Sequence, residues 1–131
     1  AMLSFSNFGT SGELRTDRIE EAVAIARELD PDLIIDGPMQ ADTALVPDIQ
    51  EDYPFMSFDG PANVLICPNL ASANIAYKLL QRIAGAEMTG PILEGLSRPA
   101  HVLQRGDSVR DVVHMAAICA VDAQRHARQR L

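Results

Sequence analysis

The residues with the most chemistry per unit length run Gln104-Arg105-Gly106-Asp107-Ser108-Val109-Arg110-Asp111. A glycine turn leading into a helix sets Arg105 beside the helix amino terminus, where its guanidinium adds fixed positive charge to amides that already favour an anion. Ser108 and Asp111 form a capping-box-like pair, and an acid in a first helical turn stabilises the helix with no catalytic role. A second polar loop contains Ser4, Ser6, Asn7, Gly9, Thr10, Ser11 and Gly12, small hydroxyls and bare amides just ahead of another helix start. Orphan N–H groups in such a place suit a phosphate or a diphosphate. The same composition also makes an ordinary capped loop, with Ser11 or Thr16 as the cap, and that plainer use is the commoner one.

Other candidates are weaker. Asp36 and Asp42 flank a turn and in principle make an acid–base pair or a magnesium site, but their spacing fits no ligand pattern, so turn formation and capping are expected of them. Asn69 and Asn74 bracket a helix start, and Asn69 is read as its cap. His101, His114 and His126 belong to no HExxH motif, and neither GxSxG nor GxxxxGK[ST] occurs. No metal site, self-contained hydrolase or nucleoside triphosphate loop is expected. Cys67 and Cys119 lie in apolar stretches and read as buried free thiols. Arg125, Arg128 and Arg130 complement the dipole at the end of the last helix.

These loops require elements to hold them. Residues 3–6 alternate like a strand, and from Thr16 the apolar Ile19, Ala22, Val23, Ala26 and Leu29 recur at helical spacing until Asp30-Pro31 stops them. Residues 33–35 form a short apolar run, and 41 to about 53 a weaker helix disturbed by Pro47. Residues 64–67 are an unbroken apolar run ended by Pro68, as in a strand covered on both faces, and 70–84 are again helical in pattern. Short runs at 91–93 and 101–103 then lead to a long helix from 109 to about 128. This alternation predicts an α/β fold, a mostly parallel sheet flanked by helices, with ligand loops beyond the carboxyl ends of its strands at 6–12, 36–42, 68–74 and 104–108.

The 131 residues suffice for one compact domain. A net charge of −7, with cations scattered until the chain's end, argues against nucleic acid as a partner. No apolar run approaches the ~18 residues of a membrane span, and no secretory pattern opens the chain, so a soluble, cytoplasmic protein with no membrane partner is expected. Ala1 ahead of Met2 is not a natural translation start, and the chain is expected to be a fragment of a longer one.

The ordered set Leu3-Ser4-Phe5-Ser6, Pro31-Asp32-Leu33, Asp36-Gly37, Ala41-Asp42-Thr43-Ala44-Leu45-Val46, Ala62-Asn63-Val64-Leu65, Pro68-Asn69-Leu70, Asn74-Ile75-Ala76-Tyr77-Lys78-Leu79-Leu80-Gln81-Arg82, Gly90-Pro91-Ile92-Leu93 and Arg98-Pro99 resembles the carboxyl-terminal half of the phosphate acetyl/butyryltransferases. The likeness runs from about residue 3 to residue 124 and implies a phosphotransacetylase-like lobe of isocitrate/isopropylmalate dehydrogenase-like architecture. In active members of that family a Ser-Arg-Gly turn and an acid in the next helix contribute to acetyl transfer between acetyl phosphate and CoA. Arg105 and Asp111 match those positions and would be the catalytic pair of a transferase, but Gln104 replaces the serine, and its amide does not reproduce a small hydroxyl. Arg82 matches an arginine that the family turns toward CoA.

The resemblance therefore implies acyl-CoA binding by Ser4, Ser6, Asn7, Ser11, Arg82, Gln104 and Arg105, with no catalytic residue in this chain unless transfer survives. Residues 35–39, 99–103, 113–117 and 120–124 look closer to a branch in which this lobe is fused behind an NADP-dependent malic enzyme and responds to acetyl-CoA. That branch implies a regulatory and oligomerisation domain with acetyl-CoA as its ligand. It also implies a partner lobe and an upstream catalytic domain, which would carry NADP, a divalent metal and the conversion of malate to pyruvate and CO2. Phosphate acetyltransferase activity on acyl-CoA or acetyl phosphate, and a pure assembly module forming homo-oligomers, are the other two readings.

Overall fold

The computed structural model describes residues 1–9 and 14–128, which divide into two compact units, Ala1–Leu79 and Leu80–Leu131. The first unit is organised around residues 1–4, whose amides donate alternately to two neighbours, as the two-residue period of an extended chain requires. Met2 N–H donates to the Asp36 carbonyl at 2.8 Å and Ser4 N–H to that of Met39 at 2.7 Å. Between them Leu3 N–H donates the other way, to Ile66 at 2.8 Å. The pairings Met2 with Ile66 and Leu3 with Met39 are both parallel. Of the expected sheet, the described residues show these two isolated bridges and no strand longer than them. Pro38 and Pro68, which have no N–H to give, flank the paired residues on the two outer segments.

Elsewhere the extended runs form no ladder among the described residues. Leu33 N–H closes a turn onto Asp30, and the Ile35 carbonyl accepts from Arg27 Nη2 at 2.7 Å, so the 33–35 run is held by a side chain. Segment 64–67, expected to be covered on both faces, is not: Val64 is 57% exposed, and Leu65 and Ile66, which point to opposite sides, are exposed too. Cys67 and Cys119 are correspondingly half-buried free thiols rather than buried ones.

Helix α1, Leu14–Leu29, buries Ile19 and Val23 and ends where Pro31 cannot continue the ladder. The helix expected over 41–53 is two short ones, α2 Ala41–Leu45 and α3 Pro47–Gln50. Val46, preceding proline, is pushed out of the α region to φ −111°, ψ 110°, and Pro47 then starts α3 at the position where its missing N–H costs nothing. Gln50 holds the pair to the following loop: Nε2 donates to the carbonyls of Thr43 at 2.9 Å and Gly60 at 3.1 Å, and Oε1 accepts from Gly60 N–H at 2.9 Å. Asp36, buried, accepts from Gly37 N, Ser57 N and Ser57 Oγ at 2.7–2.9 Å and pairs with Arg27 at 3.3 Å. Gly37 has φ 142°, and a Cβ there would lie 2.5 Å from the Met2 carbonyl oxygen, so only glycine permits the close pairing of these segments.

Helix α4, Leu70–Ile83, is capped by Asn69, whose Oδ1 accepts from Ser72 N–H at 2.9 Å. None of its side chains is buried, and Ile75, Leu79, Leu80 and Ile83 are exposed. Helix α5, Val109–Arg128, buries Met115. No helix among the described residues is long and apolar enough to cross a membrane.

Candidate functional site

In the second unit, residues 101–103 deliver the chain into a turn closed from within. Asp107 N–H donates to the Gln104 carbonyl at 3.1 Å, while Asp107 Oδ2 accepts from Gln104 N–H at 2.6 Å, and Gly106 takes φ 93°. The next residue caps α5. Ser108 donates to Asp111 Oδ2 through its amide at 2.8 Å and its hydroxyl at 2.7 Å, and Asp111 N–H returns a bond to Ser108 Oγ at 3.2 Å. This is a reciprocal capping box. The bonds from the Ser108 side chain, then from its backbone, hold the Asp111 carboxyl below its ordinary pKa. Asp111 is thereby an ionised cap, with the side chain that a transferase would use tied to the helix start.

Arg105 projects from this turn, exposed, and makes no hydrogen bond or ion pair among the described residues. It lies in the turn just ahead of the α5 amino terminus, whose N–H groups in general favour an anion. Arg82 lies in the last turn of α4, also exposed. Beside the capping box, Arg110 pairs with Glu87 along a cleft of about 230 Å³, lined by Gln81, Thr89, Ser108, Asp111 and His114 among others.

In the first unit, Ser6 and Asn7 are buried and Ser4 is partly so. Asn7 is a strut of its own loop: Oδ1 accepts from Gln40 N–H at 2.7 Å, and Nδ2 donates to Gln40 Oε1 at 3.3 Å and Tyr53 Oη at 3.0 Å. Phe8, at φ 47°, packs against the rings of Tyr53 and Phe55. Ser11, with Thr10 and Gly12, lies outside the described residues. Asp36 and Asp42 form no acid–base pair; Asp42 Oδ1 accepts from Thr43 N–H at 2.9 Å, and Asp36 is the buried hub described above. Among the described residues no group of three or more His, Cys, Asp and Glu side chains could hold a metal.

Of the residues expected at a site, the structure thus gathers Gln104, Arg105 and Asp111 on one turn and helix start, with Arg82 in the same unit and Ser4, Ser6 and Asn7 in the other. Sequence reasoning named Asp107 in the turn and His101 among the histidines but gave them no bonds: Asp107 closes the turn, and buried His101 lies 3.1 Å from part-buried Asp122. Aspartate following glycine was a turn signal for the first. For the pair, a polar residue within each of two apolar patterns was the signal.

The first unit thus carries parallel pairing between extended segments, and the second a turn with an exposed arginine leading into a helix. The chain belongs to the family described as Phosphate acetyl/butaryl transferase, whose pattern matches residues 1–120. It is 48% identical to the phosphate acetyltransferase of Acetivibrio thermocellus over 125 residues, 95% of this chain and 38% of that protein. It is 45% identical to the NADP-dependent malic enzyme of Salmonella typhimurium over 127 residues, 95% of this chain and 17% of that enzyme. Its structure is similar to a phosphotransacetylase from Streptococcus pyogenes, with TM-score 0.88 and 38% identity over 95% of this chain and 39% of that one. The lobe is therefore phosphotransacetylase-like, and the chain spans well under half the length of each of these proteins.

Proposed function

We propose that this chain is an acyl-CoA-sensing lobe that regulates an NADP-dependent malic enzyme and helps it to assemble. The observation that carries the reading is the turn itself: Arg105 is exposed and unpaired among the described residues, while Gln104 stands where the resembled transferases have serine. An anion contact is kept and the small hydroxyl beside the reacting carbonyl is lost, which favours binding over transfer. Acetyl-CoA is the proposed ligand. Arg105 and Arg82 would meet its phosphates, with the thioester near Gln104, while a part for the loop of Ser4, Ser6, Asn7 and Ser11 rests on the family resemblance alone. Asn7 would act by holding that loop, since its side chain is already engaged.

In this reading the fold is α/β, with the two parallel bridges as part of a mostly parallel sheet. The protein works in the cytoplasm as a homo-oligomer, joined to a partner lobe and to a catalytic domain that brings NADP, a divalent metal and malate decarboxylation. Regulation requires that acetyl-CoA bind two states of the assembly unequally, because equal binding shifts nothing. Phosphate acetyltransferase activity is the second reading, favoured by the 48% identity to such an enzyme and by the retained Arg105 and Asp111. Calorimetric titration of acetyl-CoA into the full-length protein, with acetyl phosphate and CoA turnover assayed on the same sample, separates them. Saturable binding without turnover is expected; turnover would replace the regulatory reading by the transferase one, and silence in both assays would leave assembly alone.

A further inference from the structure

The His101 side chain is 2% exposed, and no role proposed above uses it. Both ring nitrogens are engaged: Leu93 N–H donates to Nδ1 at 3.2 Å, and Nε2 lies 3.1 Å from Asp122 Oδ2. A backbone N–H can only donate, so Nδ1 must present a lone pair, and the ring's single proton sits on Nε2, directed at the carboxylate. The relay runs one way, from Leu93 through His101 to Asp122. It joins three pieces of the second unit: the 91–93 segment, the 101–103 run and α5. Gln104 follows that run, and α5 follows the turn. The turn is thus anchored at its entry by His101 and, through Asp122, to the helix it leads into. Among the described residues Arg105 makes no bond of its own, so its place there is set by the backbone that carries it.

We propose that His101, neutral and protonated on Nε2, is a positioning residue whose relay from Leu93 to Asp122 holds the turn Gln104-Arg105-Gly106 in its anion-receiving shape. The ligand part of this proposal rests on the acyl-CoA reading; the relay does not. Its two arms separate by substitution. His101→Asn keeps an acceptor for Leu93 but is too short for Asp122, His101→Gln keeps a donor for Asp122 without the acceptor, and Asp122→Asn keeps an acceptor for Nε2.

The test is made on the full-length protein, by amide hydrogen exchange of peptides spanning 91–93, 104–107 and 14–29, together with acetyl-CoA titration. His101→Asn and His101→Gln are each expected to speed exchange over 104–107 and weaken acetyl-CoA binding by about tenfold, with 14–29 unchanged. Asp122→Asn should keep wild-type behaviour in both readouts, while Asp122→Leu should reproduce the effects of the histidine variants, which a merely bulky core histidine would not predict. Unchanged exchange over 104–107 in both histidine variants overturns the proposal. Should they unfold the protein, Asp122→Leu, at a site 20% exposed, breaks the relay from its other end and is judged by the same criteria. If the wild type binds no acetyl-CoA, the acyl-CoA reading falls, and exchange over 104–107 alone decides whether the relay holds the turn.

Discussion

Individual side chains divide into those that build the fold and those left available. Arg105 is available: it is exposed and unpaired among the described residues, so Arg105→Ala removes little that the fold uses. Acetyl-CoA affinity should fall by about 1.5–3 kcal/mol, the range for a hydrogen bond to a charged group, with the melting temperature unchanged; intact affinity would remove this arginine from the site. Gln50 is the opposite case, buried with its amide serving Thr43 and both polar groups of Gly60. Gln50→Leu strands those groups and should cost about 2–4 kcal/mol, read as a lowered denaturant midpoint. Thr43 is buried with Oγ1 unpartnered, so Thr43→Val, which keeps the shape, should leave stability unchanged or raise it by about 1 kcal/mol. The Arg105 turn was legible in the sequence because glycine and a cap surround it. The engagement of Asn7 was not, since its partners Gln40 and Tyr53 are far along the chain.

At the level of elements, the helices were the legible part. Periodicity and the stop at Pro31 placed α1, the Asn69 cap placed α4, and the Ser108 box placed the start of α5. Pro47 was recognised as a disturbance, but its outcome, two helices hinged at Val46, follows from a steric rule about the preceding residue rather than from any apolar pattern. The extended runs were least legible, because a short apolar segment fixes neither its partner nor its register. The capping box gives α5 a pH dependence of definite sign. The Asp111 carboxyl is held below its ordinary pKa, so the native state binds its proton less tightly than the unfolded chain does. Its stabilisation is complete above the unfolded carboxylate pKa and disappears as pH falls through the lower folded value. Ser108→Ala removes the larger cause, the hydroxyl bond, and leaves the amide bond. The melting temperature of this variant should lie below that of the wild type near neutral pH, and the two should converge in acid; a constant offset across that range would mean that the Asp111 charge is not what the box stabilises.

The chain as a whole shows more apolar surface than its own elements cover. Ile75 and Leu79 on α4 are 61% and 51% exposed, although their helical spacing reads as a core face. Sequence patterning marked this stretch as helical but does not say what, if anything, its apolar face packs against, since a partner surface need not lie in the same stretch of chain. The chain spans 38% of the phosphate acetyltransferase and 17% of the malic enzyme to which it is similar, so most of each of those proteins has no counterpart here. If the exposed face of α4 is covered in the full-length protein, Ile75→Lys with Leu79→Lys should have opposite consequences at the two levels. In the isolated 131-residue chain the pair should change stability by no more than about 0.5 kcal/mol each, as expected of surface substitutions, and should reduce binding of an apolar dye. In the full-length protein the same pair places two ammonium groups in a closed apolar contact, and sedimentation should show lost assembly or a destabilised subunit. An equal and small effect in both settings would make this face solvent-exposed throughout, and any association would then need another surface, such as the exposed 64–66 segment.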